Sequence, residues 1–409
     1  MRLIVVSNLY PPHFLGGYEL LCEQVVESLV RRGHTVDVLT SIHGASGVER
    51  RGTVEVHRIL DLHQPFGRAP VLSRTRELAV THGNQAIVAR FIAERSPDVV
   101  FMWSQLRLCS GPVRAAQSSA ATVVFTFNDD HIVGYLPRRP AWSIRALLRA
   151  CADRTIHRRC TSWGMRLEHV TCISRCLRDD IVAKGVAIAD ARVIYQGIPI
   201  ERFPCKADAG ALGDPVRLLY VGQLHPYKGV HTAIEALAVV AREGGPRLRL
   251  SIAGDGPDDY KRRLSDLAQG LDVTFLGRCA PEELPALYRA HDVFIFPSIW
   301  REPFGLTFLE AMASGCTLVA TADGGQAECI EDGRDALVFP AGDAVALASR
   351  LRRLCDDRAL SRRLAAAARA KVESSFTLER YVDECERFLV TARADDQLRR
   401  SRTDCAGAR

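Results

Sequence analysis

Two α/β domains, each a doubly wound parallel sheet with helices on its faces, are what the sequence predicts, and three observations predict them. The chain has 409 residues, too many for one ordinary core and enough for two domains of about 200 residues each. Apolar runs of strand length alternate with helical segments along the chain, the pattern of parallel sheets built from β-α-β units. These runs fall into two series, separated by a stretch rich in Ala, Gly, Asp and Pro around positions 204–215.

In the first series the runs are 3–6, 35–39, 99–102, 122–125 and 170–172. Pro11-Pro12-His13-Phe14-Leu15-Gly16-Gly17 joins the first of them to a helix starting near Tyr18. The second series is 218–221, 248–253, 273–276, 293–296, 318–320 and 337–339. Helical periodicity then covers 343–354, 360–371 and 377–389. The expected organisation is a first domain over 1–204, a linker over 205–215, a second domain over 216–376, a helix over 377–392 crossing back to the first domain, and a polar, disordered tail over 393–409. Ligands of such sheets bind beyond the carboxyl ends of the strands, so two domains facing each other would make one deep cleft.

Composition narrows the class. Hydrophobic and charged fractions of 47% and 25% are those of a globular protein, and no apolar run approaches the roughly 20 residues of a membrane span. The opening M-R-L-I-V-V-S-N reads as a strand, not a secretion signal. Thirteen cysteines without C-x-x-C pairs indicate neither a disulfide framework nor a zinc site, and read as reduced thiols of a cytoplasmic protein. The formal charge of +6 is uneven: up to Pro204 there are 26 Lys and Arg against 18 Asp and Glu. Ten arginines lie between Arg138 and Arg178, opposed only by Asp153 and Glu168 and interleaved with Trp142, Ile144, Leu147, Leu148, Ile156, Trp163 and Met165. Such a region is either a solvated helix face or a surface for anionic headgroups or a polyanionic acceptor, and the latter would place the protein at the inner face of the cytoplasmic membrane. No nucleic-acid partner is expected.

The richest stretch is I-W-R-E-P-F-G-L-T-F-L-E-A-M-A-S-G at 299–315. Pro303 and Gly305 mark a helix start, whose free N–H groups and roughly half-unit positive charge suit a diphosphate. Glu302 lies just before that start and Glu310 about two turns inside it, roughly on one face at about 100° per residue, where both reach ligand hydroxyls. An acidic N-cap followed by a solvated glutamate is the plainer alternative. In Y-V-G-Q-L-H-P-Y-K-G at 220–229, Lys228 stands at a strand-to-helix turn and can neutralise a departing phosphate. Walker spacing is absent, as is G-x-G-x-x-G after either first strand, so neither an ATP-hydrolysing loop nor a dinucleotide site is indicated. The turn at Gly254 in A-G-D-G-P allows a ligand to approach closely, and F-L-G-R, ending at Arg278, offers a place for a nucleobase. Gly16 and Gly17 do the same beside the first strand. Each of these is also explained as an ordinary βα turn.

Taken together, G-Q-L-x-P-x-K-G, A-G-D-G-P, F-L-G-R, D-V-F-I-F-P-S, E-P-F-G-L-T-F-L-E-A-M-A-S-G, G-G-x-x-E-x-I-x-D-G and Gly342-Asp343 resemble glycosyltransferase family 4, retaining enzymes of the two-domain GT-B fold. The likeness is dense over 216–373 and thinner in the first half, at P-P-x-x-x-G-G and V-I-Y-Q-G-I. It implies a nucleoside-diphosphate sugar donor, UDP- or GDP-linked, no cofactor, and an acceptor saccharide, lipid-linked saccharide or small molecule. Lys228 matches the family's lysine on the diphosphate, Glu302 the glutamate at the transferred sugar, and Glu310 the glutamate on the ribose hydroxyls. The N–H groups of Phe304, Gly305, Leu306 and Thr307 would hold the diphosphate, with Gly16 and Gly17 closing over it. Two positions depart from the pattern. Gln223 stands where the family has an arginine, and Asn128 stands where many members have a histidine before the aspartate, with Asp129 following and His131 displaced by three residues. Asn128, Asp129 and His131 are therefore candidates for sugar or acceptor contacts. No D-x-D and no cluster with metal-ligand spacing occurs, so activity without a divalent metal is expected. The alternative is a non-catalytic subunit that binds a sugar nucleotide and activates a partner enzyme.

Overall fold

The structure, a computed structural model, describes residues 1–66, 74–137 and 143–407. The chain divides into two compact units, one comprising Met1–Ile194 and Val382–Arg409, the other Tyr195–Tyr381.

The first unit is built on an eight-stranded sheet: β1 (Arg2–Val6), β2 (Thr35–Ser41), β3 (Gly47–Arg51), β4 (Val54–Leu60), β5 (Val99–Met102), β6 (Thr122–Phe127), β7 (Val170–Cys172) and β8 (Arg192–Val193), in the order β3-β4-β2-β1-β5-β6-β7-β8. All pairs are parallel except β3 with β4. Leu3–Val6 and all of β5 are buried, as central strands covered on both faces must be. The helix Gly17–Arg31 lays Leu21, Cys22, Val25, Val26 and Leu29 on the sheet at helical spacing.

Glu19 on that helix is fully buried, and its carboxylate accepts the Gly16 N–H at 2.9 Å, satisfying a backbone donor ahead of the first turn. Burial raises its pKa to about 7, although the Gly16 N–H and Tyr18 pull the other way. A carboxyl whose pKa is higher folded than unfolded stabilises the fold below its unfolded value, and that stability is lost as pH rises through about 7. We therefore expect Glu19→Gln, which keeps the capping acceptor, to be more stable than the wild type at pH 8 by up to about 3 kcal/mol and nearly equal to it at pH 4. Urea unfolding at the two pH values measures this, and equal midpoints at pH 8 would refute it.

In the second unit the sheet is six-stranded and parallel: β9 (Val216–Val221), β10 (Leu248–Ala253), β11 (Val273–Gly277), β12 (Val293–Phe296), β13 (Thr317–Ala320) and β14 (Leu337–Val338), in the order β11-β10-β9-β12-β13-β14. Leu218, Leu250, Val293, Ile295 and Val319 pack with Ile234 and Leu237 of the helix Val230–Arg242 and with Leu347 and Leu351 of the helix Ala344–Asp356. Asp343 and Asp357 cap the helices that follow them, accepting from Ala346 N and Leu360 N at 2.8 Å.

Three expectations are corrected. The expected linker, 205–215, belongs to the second unit. Lys206 N and Gly210 N donate to the carbonyls of Ser314 and Gly315, and Gly213 N donates to Asp292, so backbone hydrogen bonds outweigh a loop-like composition. The expected disordered tail is helical within Leu378–Gly407. There Leu389 and Ala392 are buried, and Arg393 meets Asp98, Asp396 meets His169 and Arg399 meets Glu168, all within the first unit. Finally, β3, β4 and β8 have no counterpart among the expected strands. β4 carries Glu55, His57 and Arg58 between its apolar residues, and β8 is two residues long.

Among the described residues no helix is long and apolar enough to cross a membrane. No disulfide joins the described cysteines, and Cys22, Cys109, Cys160, Cys172, Cys316, Cys329 and Cys385 are buried.

Candidate active site

In the second unit the candidate residues gather at the carboxyl ends of β9 and β12. After β9 the chain makes the turn 222–229 and enters the helix Val230–Arg242 at Gly229, which has φ 69°. A Cβ at Gly229 would lie 1.9 Å from the Pro297 carbonyl oxygen, so only glycine lets this turn pack against the segment leaving β12. That packing sets Lys228 against Glu302, with Nζ 2.6 Å from Oε1. Ser298 Oγ donates to the same oxygen at 2.7 Å, and Glu302 is buried. Among the described residues Glu302 Oε2 accepts no hydrogen bond. The backbone of Glu302 is held as well: it bridges Gly324, and Gly325 N donates to its carbonyl at 2.7 Å. Tyr227 and Trp300 flank the ammonium, their ring centres 5.7 and 5.9 Å from Nζ.

The helix after Glu302 runs Thr307–Ala313, later and shorter than the sequence implies. Its seven residues make a weak macrodipole, so what it offers an anion is N–H groups. Phe304, Gly305 and Leu306 donate no backbone hydrogen bond among the described residues, and Gly305 sits at φ 105°. Glu302 therefore lies outside the helix, and the shared-face argument for Glu302 and Glu310 fails. Glu310 is one turn inside, where Tyr288 OH donates to its Oε2 at 2.7 Å. Burial raises the Glu310 pKa, opposed by Tyr288 and by Arg202.

Gln223 is exposed; its Oε1 is 3.5 Å from Tyr227 OH, and its carbonyl accepts from Tyr220 OH at 2.8 Å. His225 stacks on Tyr227, and His231 Nδ1 bonds Tyr260 OH at 2.8 Å. Gly254 is committed to the fold. Its N–H donates to Gly277 O at 2.7 Å, and a Cβ there would lie 1.8 Å from Gly222 O, so the packing of this turn requires glycine. Arg278 is exposed just after the edge strand β11. In V-I-Y-Q-G-I, Gly197 is likewise structural, since a Cβ there would lie 2.1 Å from Thr377 O.

In the first unit Arg58 braces the 10–17 loop, donating to the carbonyls of Tyr10 and Pro11 at 3.2 and 2.6 Å. Gly16 is extended, and a Cβ there would meet nothing closer than 3.7 Å; the fold leaves room beside it. Gly17 is the first residue of the Gly17–Arg31 helix. Asn128 is buried, its amide donating to Trp103 O at 3.0 Å. Asp129 accepts from both the backbone N–H and Nδ1 of His131. Burial works against ionisation of Asp129, but the His131 contacts prevail and its pKa is lowered. His131 Nε2 is buried without a partner among the described residues.

Within the second unit the structure thus brings together Lys228, Glu302 and the Phe304–Thr307 turn, and within the first it pairs Asp129 with His131. Sequence reasoning missed Ser298, Tyr288, Tyr227 and Trp300. Ser298 was discoverable from its place just beyond β12, whereas Tyr288 has no local signal, because it meets Glu310 through packing.

Two parallel-sheet α/β units with a lysine, a buried glutamate and free backbone N–H groups beyond the strand ends define the class of GT-B glycosyltransferases. Residues 15–202 match the family model Glycosyltransferase Family 4, and residues 205–371 match Glycosyl transferases group 1. The chain is 32% identical over 395 residues to a glycogen synthase of Mycobacterium tuberculosis, covering 92% of this chain and 91% of that one. It is 29% identical to a sulfoquinovosyl transferase of Arabidopsis thaliana, covering 91% and 70%. The solved sucrose-phosphate synthase of Thermosynechococcus elongatus superposes with a TM-score of 0.75 at 23% identity, covering 96% and 99%, a likeness of fold. The protein belongs to glycosyltransferase family 4 and is a glycosyltransferase.

Proposed function

We propose that the protein transfers a hexosyl group, with retention of configuration, from a UDP- or GDP-sugar to an acceptor hydroxyl in the synthesis of a cell-surface polysaccharide, glycolipid or other glycoconjugate. The observation that carries this is Lys228 held 2.6 Å from buried Glu302 beside the free N–H groups of Phe304, Gly305 and Leu306. As the glycosidic bond breaks, the sugar gains positive and the diphosphate negative charge. Lys228 and those N–H groups, with Thr307, stabilise the leaving diphosphate. Glu302 Oε2 orients a sugar hydroxyl, and Glu310 receives the ribose. The acceptor attacks from the face the diphosphate leaves, and a phosphate oxygen takes its proton. A glycosidase-like pair is not supported, because Glu302 and Glu310 stand on one segment with separate partners. The enzyme acts in the cytoplasm, peripherally at the membrane where its acceptor is lipid-linked.

The test is a panel of UDP-, GDP- and ADP-sugars followed for nucleoside diphosphate release, with NMR of the product anomer. Release from one donor with retained configuration is expected. Tight donor binding without release, and turnover only when a second protein is added, would favour a non-catalytic subunit instead. Because Lys228 and backbone N–H groups supply the positive charge, turnover is expected to survive EDTA; abolition with rescue by magnesium or manganese would refute that.

A further inference from the structure

The helix Ile144–Arg154 is amphipathic in the wrong sense for a helix serving only its own core. Ala150 and Asp153 are its buried residues, while Ile144, Leu147 and Leu148 are 79%, 52% and 64% exposed. Ile144, Leu147, Leu148 and exposed Cys151 follow the i, i+3, i+4, i+7 spacing of one helix face, opposite the buried pair at about 100° per residue. Ile156 at 73% and Trp163 at 45% continue the apolar surface beyond the helix.

Arginines surround it. Arg145, Arg149, Arg154, Arg158, Arg159 and Arg166 are all exposed, and Arg145 and Arg149 make no ion pair among the described residues. The two acids of this region are engaged: Asp153 is buried against Arg74, and Glu168 meets Arg399. Arg138, Arg139 and Trp142 lie outside the described residues.

We propose that this face docks on an anionic lipid surface, with Ile144, Leu147, Leu148, Ile156 and Trp163 entering the acyl boundary and the arginines meeting headgroup phosphates. Charge complementarity selects this occupant. A second copy on the same face would set arginines against arginines across a two-fold axis. An arginine surface without the outward aliphatic stripe would bind by charge alone and be released by salt. This one has both components, and the inference does not depend on the transfer reaction.

The test is flotation of the full chain with vesicles of phosphatidylcholine alone and with about a third phosphatidylglycerol, at low and high salt. Binding to the anionic vesicles is expected, weakened about tenfold but not abolished by high salt. Leu147→Ser/Leu148→Ser should reduce binding at least about tenfold at either salt, and Arg145→Ser/Arg149→Ser should reduce it several-fold while flattening the salt dependence. Both variants change exposed side chains and should melt like the wild type; Ile156→Ser, outside the helix, is a second probe of the apolar component. Failure to float with anionic vesicles, equal flotation with phosphatidylcholine alone, or serine variants that bind like the wild type would overturn the proposal. So would light scattering that shows a dimer dissolved by Leu147→Ser/Leu148→Ser, since the face would then belong to a second copy.

Discussion

On the proposed reaction, Lys228→Ala should lower kcat for donor turnover by about two to three orders of magnitude, because the variant loses the ammonium held beside Glu302 to receive the departing diphosphate. The loss has a second component. Glu302 is buried, and without the ammonium 2.6 Å away its side chain keeps, among the described residues, the Ser298 hydroxyl, which is a weaker partner than a charge. The double variant Lys228→Ala/Glu302→Ala separates the two. If the residues act as one unit, it should lose little more than Lys228→Ala alone, since a group already disabled has little left to lose. Steady-state release of nucleoside diphosphate measures both variants against wild type. A kcat for Lys228→Ala within about threefold of wild type would remove the lysine from the leaving-group role.

Gly229→Ala is expected to be among the most damaging single methyls in the second unit. Its φ of 69° already disfavours a side chain by about 1 kcal/mol, and the added Cβ would lie 1.9 Å from the Pro297 carbonyl oxygen. Backbone cannot yield as a flexible side chain can. The turn must therefore separate from the 297–302 segment, at a total cost of about 3 kcal/mol or more, and the separation also parts Lys228 from Glu302. Gly244→Ala is the control: it has a similar φ of 64° with nothing within 4 Å of the new Cβ, and should cost about 1 kcal/mol with turnover intact. Urea unfolding of both variants decides the matter. Equal losses would mean that the Pro297 contact adds nothing beyond backbone strain.

The two-domain α/β architecture was legible because buried parallel strands need continuous apolar runs, and runs such as 3–6, 99–102 and 293–296 meet no competing signal. The order of motifs around Lys228 and Glu302 was legible for the same reason, since strand-to-helix turns carry glycine and proline where the backbone demands them. What escaped was whatever depends on contacts distant in sequence. The 205–215 segment looks like a linker until Ser314, Gly315 and Asp292 take its N–H groups. The polar tail looks disordered until Asp98, Glu168 and His169 appear beside it. The helix after Pro303 begins at Thr307 because Gly305, at φ 105°, cannot continue a right-handed turn, and residue type alone does not reveal that angle. At Gly254 the structure adds a reason that residue type does not reveal, because the Gly222 carbonyl leaves no room for a Cβ.

The Lys228–Glu302 pair also bears on product inhibition. On the proposed reaction an intact donor brings a phosphate for the lysine and a hydroxyl for the glutamate, so both keep a partner when the ion pair loosens. Spent nucleotide brings only the phosphate. By drawing Lys228 away it would leave a buried carboxylate uncompensated, an arrangement that costs several kcal/mol in protein interiors. The pair, re-forming as the sugar departs, would favour ejection of the nucleoside diphosphate and let the enzyme run where that product accumulates.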